Sequence, residues 1–423
     1  MSMAPMNKHR NSMSDPLSRT DVGTASAYDG QPFRLEVPGG GVTGPEGFTA
    51  AGVVAGLKST GRKDVALVRN HGPRHDAAGV FTSNRVTAAP VVHSRTVVAD
   101  WRAEAVVLNS GGANACTGEG GLADARETAR AAAGAIGASE DDVIVCSTGL
   151  IGTRLPMDLL LSGVAEAAKV ASRSGATDAA EAIMTTDTVS KQAEIIHDAG
   201  WRVGGMAKGA GMLAPGLATM LVVLTTDAVV EPQVLDRALR TATRLTFDRL
   251  DSDGCMSTND SVVALASGAS GMEASEPELA DALVALCGQL ARMLMSDAEG
   301  AEHDIAIQVV NASSVEDAVD VARAISRSNL FKTAIAGNDP NWGRALAAIG
   351  TTDADFEPER IDVSFNGVMV CQDGGIGEDR SQCDLTGRDV HVLVDLHAGQ
   401  EQAPILTNDL THGYVTENAD YSS

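Results

Sequence analysis

Positive charge is in short supply against negative in this sequence: 32 Lys and Arg face 56 Asp and Glu, a formal net charge of −24. A nucleic-acid partner needs a basic footprint to neutralise phosphates, and the chain has none overall, so that class is set aside. Cysteine is sparse as well. Cys116, Cys146, Cys255, Cys287, Cys371 and Cys383 are widely scattered, and no two have the C-x-x-C spacing of a zinc or dithiol redox site. Reduced cytoplasmic thiols are therefore expected; no metal and no resident cofactor are expected either. No uncharged apolar run reaches the eighteen or so residues that a membrane span requires. No apolar block follows Lys8-His9-Arg10 to make a signal peptide. A soluble protein without a membrane partner is expected. A repeat of 20 to 50 residues is also missing, which excludes solenoids and propellers.

What is present is globular. Apolar residues make up 44% and charged residues 21%, ordinary usage for a folding chain. At 423 residues the chain outgrows a single core, so two lobes or one large layered domain are expected. The first thirty or so residues are polar and read as a disordered tail. From Phe48 onward, β-rich runs alternate with helical ones: 64–68, 78–81, 104–109, a helix over 122–135, 142–147, a helix over 157–171. That alternation predicts α/β or α+β layering. Two glycine loops, 109–118 and 147–152, follow apolar runs and stand where functional loops often do. Residues 201–216 read as a Gly-rich, turn-prone segment ending at Pro215-Gly216. Met220 to Leu224 then form an unbroken apolar run typical of a buried strand. Downstream, Ser275 with Glu278, and Ser314 with Asp317, have capping-box spacing ahead of helical patterns. Runs 305–310, 361–365 and 390–396 complete the second half as strands.

Several local motifs give way to bland readings. Gly39-x-Gly41-x-x-Gly44 matches a dinucleotide fingerprint in form, but Pro38, Pro45 and Gly47 spoil the strand-to-helix setting, leaving a glycine loop. His71 and His75 have the i, i+4 spacing of helical zinc ligands, yet Gly72-Pro73 between them forbids the helix. His391 and His397 fall in or beside a strand and read as structural. Thr219 is different. A Thr hydroxyl can attack the carbonyl before it in an N-to-O acyl shift. Hydrolysis of that ester frees a Thr α-amine, which then serves as the hydroxyl's own general base. The small Ala218 and the Pro215-Gly216 turn are compatible with this chemistry, although a β-branched residue opening a strand is equally ordinary.

Eight blocks then bear on the choice, in order: NSGGANACTG (109–118), CSTGLIG (146–152), AIMTTDT (182–188), AKGAGMLAPGLATML (207–221), DGCMSTND (253–260), DAEGA (297–301), DPNWGRALAAIG (339–350) and GYVTENADYSS (413–423). On these, from about Gly44 to Ser423, the chain resembles the ornithine acetyltransferase family, also called glutamate N-acetyltransferase. It departs at Gly112, commonly Asn in the family, and at Ser190, commonly Pro; the N-terminal tail lies outside the pattern. The resemblance implies a fold like the N-terminal-nucleophile and aminopeptidase-like enzymes. It implies self-cleavage at Ala218–Thr219, dividing the sequence into a tail and lead-in (1–43), an α chain (44–218, with the tail 1–218) and a β chain (219–423), assembled as α2β2.

By the same resemblance, Thr219 takes the acetyl group from N-acetyl-L-ornithine and passes it to L-glutamate in cyclic arginine biosynthesis. Thr148 and Gly149 supply the oxyanion hole. Thr185, Lys208, Thr219, Glu299, Asn418 and Ser423 contact substrate, with Lys208 pairing a carboxylate and Glu299 the side-chain ammonium. Acetyl-CoA is admitted as a second acetyl donor. The competing readings are a self-processed threonine amidohydrolase or aminopeptidase, a secondary-metabolism paralogue, and an uncleaved binding protein. The DPNWGR block is assigned no chemistry, with Trp342 read as a core anchor.

Overall fold

A computed structural model describes residues 31–213 and 220–420. Its first sheet has six strands in the order Phe33–Glu36, Lys191–His197, Arg202–Lys208, Leu221–Thr226, Ser261–Ala266, Asp76–Phe81. A four-stranded sheet, ordered Phe48–Val53, Val65–Asn70, Ala105–Asn109, Val143–Ser147, packs on one face of it. Helices Pro232–Leu245 and Glu276–Ser296 cover the outer face of the first sheet. Helices Gly118–Ile136 and Met157–Val170 cover that of the second. The result is a mixed α/β sandwich of four layers.

This layering explains the unbroken apolar run after Thr219. Leu221 and Val223 enter the core between the sheets, while Val222 and Leu224 enter the core beneath the helices, so both faces of the strand are dry. The Glu276–Ser296 helix is long and apolar enough by composition to cross a membrane, but it is mostly buried here as a core helix. It opens with the full capping box expected from Ser275 and Glu278. Ser314 caps the Val315–Ser326 helix through the Asp317 N–H, but the Asp317 carboxylate accepts from the Ser313 hydroxyl at 2.6 Å instead of completing a box.

A second lobe holds the other six-stranded sheet, ordered Gly375–Ile376, Val368–Gln372, Asp362–Phe365, Asp389–Asp395, Asp304–Ala312, Glu401–Asn408, with its own core. Trp342 packs half-buried against that core. The lobes meet through Leu406, buried in the first lobe's core, and through polar groups: the Arg327 Nε donates to buried Asp251 at 2.7 Å, and the Lys332 ammonium donates to the Ser252 carbonyl.

One expectation changes. Residues 202–208, inside the stretch read as turn-prone, form a buried strand instead. Glycine is needed there for close approach: a Cβ on Gly204 would collide with the Gly41 carbonyl, and one on Gly205 would press on Leu224, Leu286 and Leu290. The lead-in carries the strand its FRLEV pattern suggests: Phe33–Glu36 forms the sheet's edge strand against Lys191–His197. The bland readings fit the structure. A short 3₁₀ turn, not a helix, follows Gly39. The His71 ring bonds the Thr49 hydroxyl, and the His397 ring bonds Asp362.

Candidate active site

Each half of the site grows from a strand end. Val143–Ser147 runs into Thr148-Gly149, and this turn is knitted to the 109–118 loop. The Thr148 N–H donates to the Asn109 carbonyl at 2.9 Å, and the Gly112 N–H donates to the Thr148 carbonyl at 3.1 Å. Asn259, buried, ties both pieces from beneath, donating through Nδ2 to the Ala113 and Ser147 carbonyls at 2.6 and 2.8 Å. Gly149 has φ +130°, and a Cβ there would stand 2.7 Å from the Gly112 nitrogen. Only glycine satisfies both demands. Among the described residues, the Thr148 hydroxyl and the Gly149 N–H have no hydrogen-bond partner. Two free donors on one turn suit a developing oxyanion.

The second half is charged. Lys208, the last residue of its strand, is 1% exposed, and its ammonium donates to the Thr185 hydroxyl at 2.6 Å. Burial lowers its pKa against the opposing pull of Asp187. Across the cavity, the Asn418 side-chain amide donates to the Glu299 carboxylate at 3.0 Å. Gly211 leaves room for that carboxylate, since a Cβ on it would come within 2.6 Å. The C-terminal helix His412–Asp420 carries Asn418 and is held by the Thr411 hydroxyl on the Gly300 carbonyl at 2.5 Å. Thr148, Gly149, Thr185, Lys208, Glu299 and Asn418 thus line a single cavity of about 590 Å³. Ala218, Thr219 and Ser423 lie outside the described residues.

The segment carrying Thr219 is anchored on both sides. The Leu213 carbonyl accepts from the Ser252 N–H at 2.5 Å, and the Met220 N–H donates to Asp260 Oδ1 at 3.1 Å. Asp260 is fully buried. Burial pushes its carboxyl pKa well upward, while its bond to Met220, the Lys208 charge and the Ser257 and Thr82 hydroxyls oppose the shift without reversing it. Asp260, Asn259, Asp187 and Asp297 all fall inside the quoted sequence blocks, but nothing in their local pattern marked them. An acidic or amide residue in a loop reads as solvated until the fold buries it.

The ArgJ family model matches residues 49–423. The chain is 59% identical over 382 residues to an arginine biosynthesis bifunctional protein of Streptomyces coelicolor, covering 90% of this chain and 100% of the relative. A protein of the same name from Thermobifida fusca is also 59% identical, with the same coverage. Among solved structures, an ornithine acetyltransferase of Mycobacterium tuberculosis complexed with ornithine is 52% identical, covering 45% of this chain and 100% of that one, with a TM-score of 0.43. The chain belongs to the ArgJ family.

Proposed function

We propose that this protein is a glutamate N-acetyltransferase that moves an acetyl group from N-acetyl-L-ornithine to L-glutamate through an ester on Thr219. The observation that carries the reading is the single cavity holding two free oxyanion donors, a buried lysine and an amide-oriented carboxylate. Zwitterionic substrates need fixed charges of both signs, and this cavity has them in a chain that is acidic overall.

The Thr219 hydroxyl attacks the acetyl carbonyl while its α-amine takes the proton. Thr148 and Gly149 stabilise the resulting oxyanion, at about 3 kcal/mol per donor. Collapse expels the α-amine of ornithine, which receives the proton from the Thr219 ammonium, and leaves the acetyl ester. The glutamate α-amine then attacks that ester through the same intermediate, giving N-acetyl-L-glutamate and restoring the hydroxyl. Lys208 and Thr185 hold the substrate carboxylate, Glu299 and Asn418 the ornithine side-chain ammonium, and the resemblance assigns Ser423 a substrate contact as well. The nucleophile arises by self-cleavage after Ala218. Pairing of Arg202–Lys208 with Leu221–Thr226 inside one sheet supports 1–218 and 219–423 staying together afterwards. We assign the pair to an α2β2 assembly in the cytoplasm; the unpaired state of all six cysteines is consistent with a reducing compartment.

Purified protein given N-acetylornithine and saturating glutamate is expected to release N-acetylglutamate in step with ornithine. Free acetate in equal amount would make it an amidohydrolase instead. The same assay with acetyl-CoA replacing N-acetylornithine tests the second donor. That reading is favoured by a neighbouring cavity of about 770 Å³, which shares Gly149 and Thr185 and is lined by Lys58, Arg62 and Lys63.

A pH dependence follows from Lys208. Its pKa is lowered from the ordinary 10.5, so KM for N-acetylornithine should rise on the alkaline side before an ordinary lysine would titrate. Lys208→Met should raise KM at neutral pH and remove that alkaline limb. A limb unchanged in the variant would detach Lys208 from substrate.

A further inference from the structure

The cationic end of the pocket is joined to the segment that carries its anionic end by a chain of buried charges, Asp187 and Lys191 behind the wall and Asp297 in it, that the mechanism above does not use. Asp187 is at its head. Its Oδ1 accepts from the Lys191 ammonium at 2.7 Å and from the Gly209 N–H at 2.7 Å. Its Oδ2 accepts from the Thr185 N–H at 2.9 Å and stands 3.7 Å from the Lys208 ammonium. One carboxylate therefore fixes both residues assigned to the substrate carboxylate. Lys191 carries the chain on, its ammonium 2.6 Å from Asp297 Oδ2. The Asp187 and Lys191 side chains are 0% and 1% exposed. Asp297 ends the Glu276–Ser296 helix, accepts from the Thr188 N–H at 3.0 Å and from the Thr188 hydroxyl, and lies two residues before Glu299.

The charges alternate from Lys208 through Asp187 and Lys191 to Asp297, so each buried ion has an opposite neighbour. Such arrays are weak sources of net stability, because desolvation consumes most of the Coulombic gain. What this one supplies is a fixed span between Lys208 and the Asp297–Glu299 segment. We infer that Asp187, Lys191 and Asp297 are positioning residues that set the distance between the carboxylate-binding and ammonium-binding ends of the pocket, and so select the length of the diamine chain. This rests on the substrate roles given above to Lys208 and Glu299. A rigid span matters because a single methylene in a matched site changes selectivity by about 10- to 200-fold.

The test uses Lys191→Met combined with Asp297→Asn, which removes one charge of each sign, leaves the Asp187–Lys208 pair intact and keeps an acceptor for Thr188. Binding of L-2,4-diaminobutyrate, L-ornithine and L-lysine is measured by calorimetry, and kcat/KM is measured for their N-acetyl forms. The wild-type preference for the ornithine length over the lysine length is expected to fall about tenfold in the double variant, chiefly through Kd and KM. If thermal melting shows that this variant does not fold, Lys191→Arg is the second probe. It keeps the charge and lengthens the link, and is expected to tilt both ratios toward lysine. A ratio unmoved in a folded variant, with all three ligands weakened alike, overturns the inference. Wild-type protein that binds ornithine selectively but transfers no acetyl group overturns the functional reading alone. Wild-type protein that binds none of the three overturns both.

Discussion

Thr219→Ala is expected to migrate as one full-length band on a denaturing gel, whereas freshly expressed wild-type protein should separate into 1–218 and 219–423. Acetyl transfer should fall by at least ~10³-fold, to whatever the oxyanion donors and binding residues supply unaided. The reason is that in the proposed mechanism one oxygen serves both reactions. It is the attacking group in the N-to-O shift that breaks the chain, and the acceptor of the acetyl group thereafter. The variant should still fold, because the anchors on either side of the segment use backbone atoms: Met220 N–H on Asp260, and the Leu213 carbonyl under Ser252. A thermal melt checks this. Thr219→Ser keeps the oxygen and should cleave more slowly without losing the reaction. Two bands persisting in Thr219→Ala would remove Thr219 from the chemistry.

How much of this was legible beforehand differs with the physics involved. Signals that depend on neighbours in sequence read well. The apolar run 220–224 announced a strand buried on both faces, and Ser275 with Glu278 announced a helix start that the fold reproduces down to the reciprocal cap. Signals that depend on distant backbone were misread. Gly204 and Gly205 look like turn residues, yet their missing side chains let Gly41 and the Glu276–Ser296 helix approach the sheet. Phe33–Glu36 reads as strand-like, but its β partner among the described residues, Lys191–His197, is more than 150 residues away and no local signal names it. The proposed division at 218/219 coincides with no boundary of the fold, since the first sheet takes strands from both sides of it. In the site, the resemblance named six of the groups that meet in the cavity. The buried supports, Asp187, Lys191, Asp260 and Asn259, stayed silent because charge and polarity alone predict exposure.

Gly149→Ala isolates the proposed oxyanion hole from everything else in the pocket. The glycine is held at φ +130°, where an L side chain is strained, and its added Cβ would sit 2.7 Å from the Gly112 nitrogen and 2.9 Å from the Gly112 Cα. Because the neighbour is backbone, itself bonded to the Thr148 carbonyl, the clash is relieved only by turning or displacing the Thr148-Gly149 peptide. Either movement takes the Gly149 N–H out of line with the oxyanion. Loss of one such donor costs kcat on the order of 10²- to 10³-fold. KM should change little, because Lys208, Thr185, Glu299 and Asn418 approach from other elements. Thr148→Val, which removes the second donor without disturbing the backbone, should lower kcat by a similar factor. If both variants instead raised KM at constant kcat, the turn would be binding the ground state, and the oxyanion would have to be held elsewhere. Self-cleavage sharpens the distinction, since the N-to-O shift passes through a tetrahedral oxyanion of its own on the Ala218 carbonyl. A Gly149→Ala protein that is fully cleaved yet slow in transfer would mean that the two oxyanions have separate donors. One slow in both would mean that Gly149 serves each in turn.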